Sequence, residues 1–465
     1  MLLWLSRAGV PRKCSTNCTS ARTPALASPK RWTTNGLSTN QTLCYTLGEG
    51  QPSPFFYLRS ARKMPQSVEQ HIAAITDRIK DFVRFLDREE VAPVLAELRE
   101  MFARELRATE GFASHERELH DRIRHESDYE QLRAIHDELN VLEMERFLAI
   151  SSVSALHANC TEYRDILADR ALALAEDEME HDGRGRAPCP YALCSMGSDG
   201  REEQTLITDQ DYLIVYGDGG GEAADEWFRE FSELIVERLA QIGFKKCTGD
   251  IMPSNPTWRG SLSQWRRKLL AIVRYEYEDY AKNLMDLIVI SDARHVAGDR
   301  DLAATLIATI RALEKDYFQV LWGMAKAATE MKLALGFLKR LWTEGSGEHK
   351  GEFNLKLLAW APLVMNVRIL AINQGVPATN TVKRIEHLAR EGSFSPSFAN
   401  GLVEAYEVLT RHRILLQIKV IKGIQKSSYY LNPYTLPAEE REAIRQALLR
   451  IEDLQRTIHT NFSIM

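Results

Sequence analysis

No apolar run in this chain of 465 residues approaches eighteen, the length a helix needs to cross a bilayer, so no membrane span is expected. Cysteine is scarce. The seven residues, at positions 14, 18, 44, 160, 189, 194 and 247, are irregularly spaced. That spacing argues against a disulfide framework and fits the reduced thiols of an intracellular protein, with cytoplasmic placement expected. Neither Cys14/Cys18 nor Cys189/Cys194 is joined by a second Cys/His pair, so a zinc site is not expected. Positive charge is not in excess either: 59 Lys and Arg against 64 Asp and Glu leave a net charge of −5. Non-specific nucleic-acid binding, which needs a basic field, is therefore not expected. No internal repeat is visible. What is present is ordinary for a soluble globular chain, 45% hydrophobic and 26% charged, and long enough for two or three domains.

Composition divides the chain. Residues 1–63 carry nine Lys and Arg against one acid, Glu49, are rich in Ser, Thr and Pro, and keep no periodicity. They suit either an organellar targeting segment or, the favoured reading, a disordered or upstream extension before a start at Met64. From Val68 to about Glu180 the period is helical, with Ile72, Ile75, Ile79, Phe82 and Phe85 at spacings of three and four. Further helices are expected over about 116–142 and 143–180. Residues 188–299 alternate: strands over 191–196, 211–216 and 286–292, and a helix over 222–242 with Phe228, Phe231, Ile235 and Leu239 on one face. Helices resume from Asp301, broken at 345–351, 375–380 and 432–437. The fold class is α+β, a small mixed sheet with covering helices. The expected domains are a helical one over 64–180, a mixed-sheet one over 181–300 and a second helical one over 301–465.

The chemistry concentrates at 197–211. Gly197-Ser198-Asp199-Gly200-Arg201 is a small-residue turn after an apolar run, and Thr208-Asp209-Gln210-Asp211 opens another. Residues two apart on a strand point to one face, so Asp209 and Asp211 can present paired carboxylates to a hard cation such as Mg²⁺ together with substrate phosphates. Two such ions can clamp the attacking and leaving oxygens of a phosphoryl transfer. Gly197 lets the backbone approach a triphosphate, Ser198 adds its hydroxyl and N–H, and Arg201 offsets phosphate charge. A third acid is wanted, to bind metal and take the proton from the attacking hydroxyl. Asp286 and Asp292 share a face of the expected third strand, so parity does not choose between them; Asp292, at the strand's end beside Arg294, is preferred. His120-Asp121 and His136-Asp137 lack the flanking His and Asp of a phosphohydrolase and read as polar residues of a helical bundle.

Gly-Ser, about ten residues, Asp-x-Asp and a later acid together resemble the DNA polymerase β-type nucleotidyltransferase superfamily. The run Met196 to Gln204, then Thr208–Asp211, Met252–Arg259 and Asp292–Asp299, is similar to its protein-PII uridylyltransferase-like branch. Phe353–Lys356, Arg368, Thr379–Thr381, Arg384, Ala405-Tyr406, Arg413 and Gln417 resemble the substrate-binding helical domain that follows in that branch. The resemblance spans about 115–460 and favours Asp292 as the third acid. Asp250 after Gly249 departs from the branch's glycine-rich run.

The resemblance implies a Mg²⁺-dependent enzyme, with two ions, that moves a nucleoside monophosphate from a nucleoside triphosphate to a hydroxyl. UTP is favoured, with ATP as the other candidate, and the acceptor is a PII-like regulatory protein. Asp209, Asp211 and Asp292 would be catalytic and metal-binding. Gly197, Ser198, Arg201, Lys356 and Arg368 would bind nucleotide. Asn255, Trp258, Arg259 and Arg384 are candidate substrate contacts; Trp258 and Trp265 read equally well as packing beneath the site. The alternatives are a non-catalytic nucleotide sensor and, further off, a helical scaffold.

Overall fold

A computed structural model describes residues 110–274 and 280–464. The targeting segment or extension expected over 1–63, and the helix carrying Ile72 to Phe85, lie outside them. Helix α1 occupies 110–125, followed by α2 (Tyr129–Ile150) and α3 (Val153–His181). The sequence reading ran one helix through 116–142 and another through 143–180. The chain instead breaks at 126–128 and at 151–152. Asp128 accepts hydrogen bonds from the Glu130 and Gln131 amides, and Ser152 from that of Ala155, while Ser151 turns left-handed at φ 56°. Both breaks carry N-cap residues that amphipathic periodicity overrides only on paper.

The sheet has four strands in the order β5-β3-β1-β6: β1 (Tyr191–Ser195), β3 (Tyr212–Tyr216), β5 (Arg259–Ser261) and β6 (Arg294–Gly298). A separate two-residue ladder pairs β2 (Asp209–Gln210) in parallel with β4 (Lys245–Lys246). β1 runs antiparallel to β3, Tyr191 opposite Tyr216, and antiparallel to β6 with a register shift at Leu193/Cys194; β5 is parallel to β3. β1 and β3 are buried at every position, which is why they read as unbroken apolar runs. Helix α4 (Gly221–Ile242) covers one face with Phe228, Phe231, Ile235 and Leu239, as its period requires, and Phe228 stacks on Tyr216 at 4.2 Å. Helix α5 (Leu262–Val273) starts in a capping box between Ser261 and Gln264.

The expected third strand is a helix. Residues Tyr280–Ile290 form α6, and the strand comes later, as β6. Leu284, Met285, Leu287, Ile288 and Ile290 are all buried, and an apolar run this dense carries no clear period. The helical signal lay in its polar positions: Lys282 and Asp286, four apart, form an ion pair at 3.3 Å. Asp286 and Asp292 therefore share no strand face.

The C-terminal half is α7 (Arg300–Asp316), α8 (Phe318–Thr329), α9 (Ala361–Asn373), α10 (Thr381–Arg390), α11 (Pro396–Ile421) and α12 (Ala438–Asn461). β7 (Phe353–Asn354) and β8 (Tyr430–Leu431) pair antiparallel, and a π-helical turn, Lys356–Trp360, leads into α9. Residues Lys356–Asn373 are long and apolar enough to span a membrane, against the sequence expectation, yet 78% of that window is buried inside the protein. A helix apolar on all sides is the core helix of a bundle here, packed by α8, α10 and α12.

Candidate active site

Two short elements bring the paired acids to the turn. The Met196 amide donates to the Asp211 carbonyl at 2.8 Å, fastening the end of β1 beside the start of β3. Gly197 turns with φ +59°, and a Cβ there would lie 2.5 Å from Asp211 Oδ2. Glycine is thus required both by the left-handed backbone and by the carboxylate pressed against it. Ser198, half-buried, follows in a single helical turn over Gly197–Gly200.

Between the acids, Gln210 is fully buried and its amide donates to the carbonyls of Val236 and Phe244 at 3.2 and 3.1 Å. With Gln210 anchored inward, Asp209 and Asp211 face the other way, Asp209 exposed and Asp211 half-buried. Burial pushes the Asp211 carboxyl up to about 6, and the neighbouring Asp209 charge adds to the rise; the Cys247 thiol and Lys356 oppose it. Two carboxylates facing each other without a cation repel, and a hard divalent ion with phosphate oxygens is the partner their chemistry fits.

Cations lie near the paired acids. Lys356, at the start of the π turn, lies over the Tyr429 ring at 5.2 Å. Burial lowers its ammonium, Arg413 lowers it further, and Asp209 and Asp211 pull the other way. Arg413 lies over the Trp360 ring at 3.9 Å, its guanidinium lowered to about 10 by burial. Among the described residues neither cation has a carboxylate within salt-bridge distance. Two neighbouring cations seated on aromatic rings, unpaired and mutually repelling, are the complement of a polyanion. The resemblance alone nominates Arg413; its place beside Lys356 depends on how α11 folds back beside the π turn.

Four expected site residues do not join the paired acids. Asp292 is fully buried, and its two oxygens are taken by three arginines. Arg201 Nη1 donates to Oδ2 at 2.6 Å, Arg384 Nη1 and Arg368 Nε to Oδ1 at 3.0 and 3.2 Å, and Arg368 Nη2 to Oδ2 as well. Burial alone would raise this carboxyl, but Arg368, Arg201 and Arg384 outweigh it and hold it below the usual range. In this structure Asp292, expected as the third acid, is an anion held by arginines apart from Asp209 and Asp211, and Arg201, Arg368 and Arg384, expected as phosphate or substrate contacts, are its partners. Asp286, the other candidate, is paired with Lys282 on α6. Among the described residues no group of three His, Cys, Asp or Glu side chains is placed to hold a metal ion.

The candidate substrate contacts are also engaged elsewhere. Asn255 accepts from the Thr257 amide and donates to Asp250. Trp258 is buried, and the Trp265 indole donates to the Ile214 carbonyl, so both pack beneath the sheet. Arg259 donates to the carbonyls of Pro253 and Ser254. It also lines an open groove of about 840 Å³ with Tyr216, Asp225 and Lys268, which lies at the other end of β3 from the paired acids. His136 bonds the Ile242 carbonyl from within the bundle, with Asp137 paired to Arg133 on the surface.

Residues 133–279 match the family described as "Putative nucleotidyltransferase DUF294", and residues 318–462 the "Putative nucleotidyltransferase substrate binding domain". Each match covers less than half of the chain; together they make it similar to a nucleotidyltransferase domain followed by that domain's substrate-binding partner. No curated protein matches it.

Proposed function

We propose that this chain transfers a nucleoside monophosphate from a nucleoside triphosphate, UTP before ATP, to a hydroxyl of a protein acceptor of the PII-like regulatory class. The observation that carries the reading is the close approach of Gly197 to the Asp211 carboxylate, with Asp209 and Lys356 near enough to act on its charge. Asp209 and Asp211 would hold Mg²⁺, which supplies positive charge to the transferring phosphoryl group. Gly197 admits the triphosphate to the backbone, and Ser198 offers its N–H and hydroxyl. Lys356 and Arg413 neutralise the phosphates from the helical side and stay with the departing pyrophosphate. The choice of base and of acceptor rests on the resemblance to the uridylyltransferase-like branch.

The test is incubation with α-labelled UTP or ATP, Mg²⁺ and candidate PII-like proteins. Label should move to the acceptor and stop on Asp209→Ala plus Asp211→Ala. Transfer that survives the double substitution overturns the mechanism.

One observation favours a second reading, a nucleotide sensor without transfer. Asp292, the residue the resemblance nominates as third acid, is enclosed by three arginines. Mg²⁺-dependent nucleotide binding without pyrophosphate release, across all acceptors tried, would select the sensor.

A further inference from the structure

A second cavity, of about 220 Å³, lies behind the Asp292 cluster, lined by Arg311 and Glu314 of α7, Ser291, Ile372, Thr379 and Arg384 among others. It has room for several waters or for one small metabolite. Its floor is chemically unfinished. Glu314 is 3% exposed and its Oε1 has no hydrogen-bond partner. Arg311, Arg384 and Arg368 lie near enough to act on its charge, but none bonds it, and burial pushes the carboxyl up to about 8, so it keeps its proton near pH 7 until a cation seated beside it favours ionisation. A buried carboxyl oxygen without a hydrogen-bond partner is costly, so such atoms are rare unless something binds them.

At the mouth, exposed Arg311 sits one helical turn from Glu314 on the same face of α7. Its Nη2 donates to the Pro377 carbonyl at 2.6 Å, which fixes the guanidinium over the opening and leaves its other N–H groups available. A donor-rich end and an acceptor end, set a turn apart across a small cavity with apolar sides from Ile372, Val376 and Pro377, complement a molecule charged oppositely at its two ends.

We propose that this cavity is a binding site for a small zwitterion of the α-amino-acid class, its carboxylate on Arg311 and its ammonium on Glu314. The site is separate from the paired acids and does not depend on nucleotidyl transfer. It is not isolated from them either: Arg384 lines the cavity and also holds Asp292, which in turn holds Arg201 of the catalytic domain. Occupancy would be felt at the junction of the two domains, the arrangement an effector site requires.

The test is calorimetric titration of the full chain with the common α-amino acids, each at millimolar concentration, beside amines and carboxylates that carry only one of the two charges. At least one zwitterion should bind, and the single-charge analogues should bind about tenfold more weakly or worse. Glu314→Gln keeps the shape and removes the charge; it should weaken the zwitterion by about tenfold or more while leaving the apo melting temperature level or higher. Arg311→Ala, at an exposed position, should weaken it independently. If no zwitterion binds, the cavity holds solvent only; if Glu314→Gln binds it undiminished, Glu314 does not hold its ammonium; either result overturns the proposal.

Discussion

At the scale of single residues, Asp211 and Asp292 are opposites, and the fold states which is which. Asp211 is a raised carboxyl held beside a like charge. Its folded value of about 6 lies above its ordinary one, so ionisation opposes folding, increasingly as pH rises from about 4 to 6 and constantly above. Asp211→Asn should therefore raise apo stability at pH 7 by about 1–3 kcal/mol while removing stabilisation by Mg²⁺ with nucleotide; thermal melts with and without both will show it. In the unsubstituted chain that stabilisation should fade below about pH 6, as Asp211 takes up its proton. Asp292 runs the other way. Its lowered carboxyl contributes stability that is complete above the ordinary carboxylate range and is lost as pH falls through its folded value. Asp292→Asn leaves three buried guanidiniums short of a charge and should cost about 3–5 kcal/mol in denaturant melts. Asp209→Asn, at an exposed position, should cost little, and an equal loss from both would refute the structural role given to Asp292.

At the scale of elements, the single helical turn Gly197–Gly200 joins the site to the core, and its two glycines do different jobs. At Gly197 a Cβ meets the end of a carboxylate side chain, whereas at Gly200 it would lie 2.1 Å from the Asp292 carbonyl and 2.9 Å from that of Ser195. A side chain can move; two backbone strands cannot. Gly197→Ala should cost about 1 kcal/mol of stability but abolish Mg²⁺-nucleotide binding. Gly200→Ala should unfold more readily by several times that, in the same melts. Much of this level was legible beforehand: β1, β3 and α4 are read from unbroken or periodic apolar runs. The third strand was not, because Leu284 to Ile290 is apolar at nearly every position and only the Lys282/Asp286 spacing marks it as helical. The breaks before α2 and α3 were lost for a different reason, since cap residues such as Asp128 and Ser152 also occur on solvated helix faces.

For the whole molecule, the connector from Arg201 to Ile207 is the seam. Besides Asp292 and its arginines, the Thr381 amide donates to Glu203 at 2.7 Å, Gln417 Nε2 to Thr205 Oγ1 at 3.0 Å, and the Tyr406 hydroxyl pairs with His157 Nε2 at 3.0 Å. These buried bonds join residues of the two matched domains, so residues 110–464 should unfold in one cooperative transition, seen by calorimetry as coincident calorimetric and van't Hoff enthalpies. Arg368→Ala, which removes one side of the seam, should broaden or split it.

The sequence by itself pointed to nucleotidyl transfer and gathered the candidate turn and paired acids, because Gly197, Asp209 and Asp211 lie within fifteen positions. It could not determine which distant charges reach them. Arg201, Arg368 and Arg384 look like phosphate ligands in a linear chain, and so does Lys356. Only the packing of α9, α10 and α11 against the connector gives three of them a buried carboxylate and leaves Lys356, with Arg413, without one among the described residues. Charge is written in the sequence, but whether a charge is already satisfied depends on neighbours that tertiary folding brings from far along the chain, 92 residues away for Arg384 and Asp292.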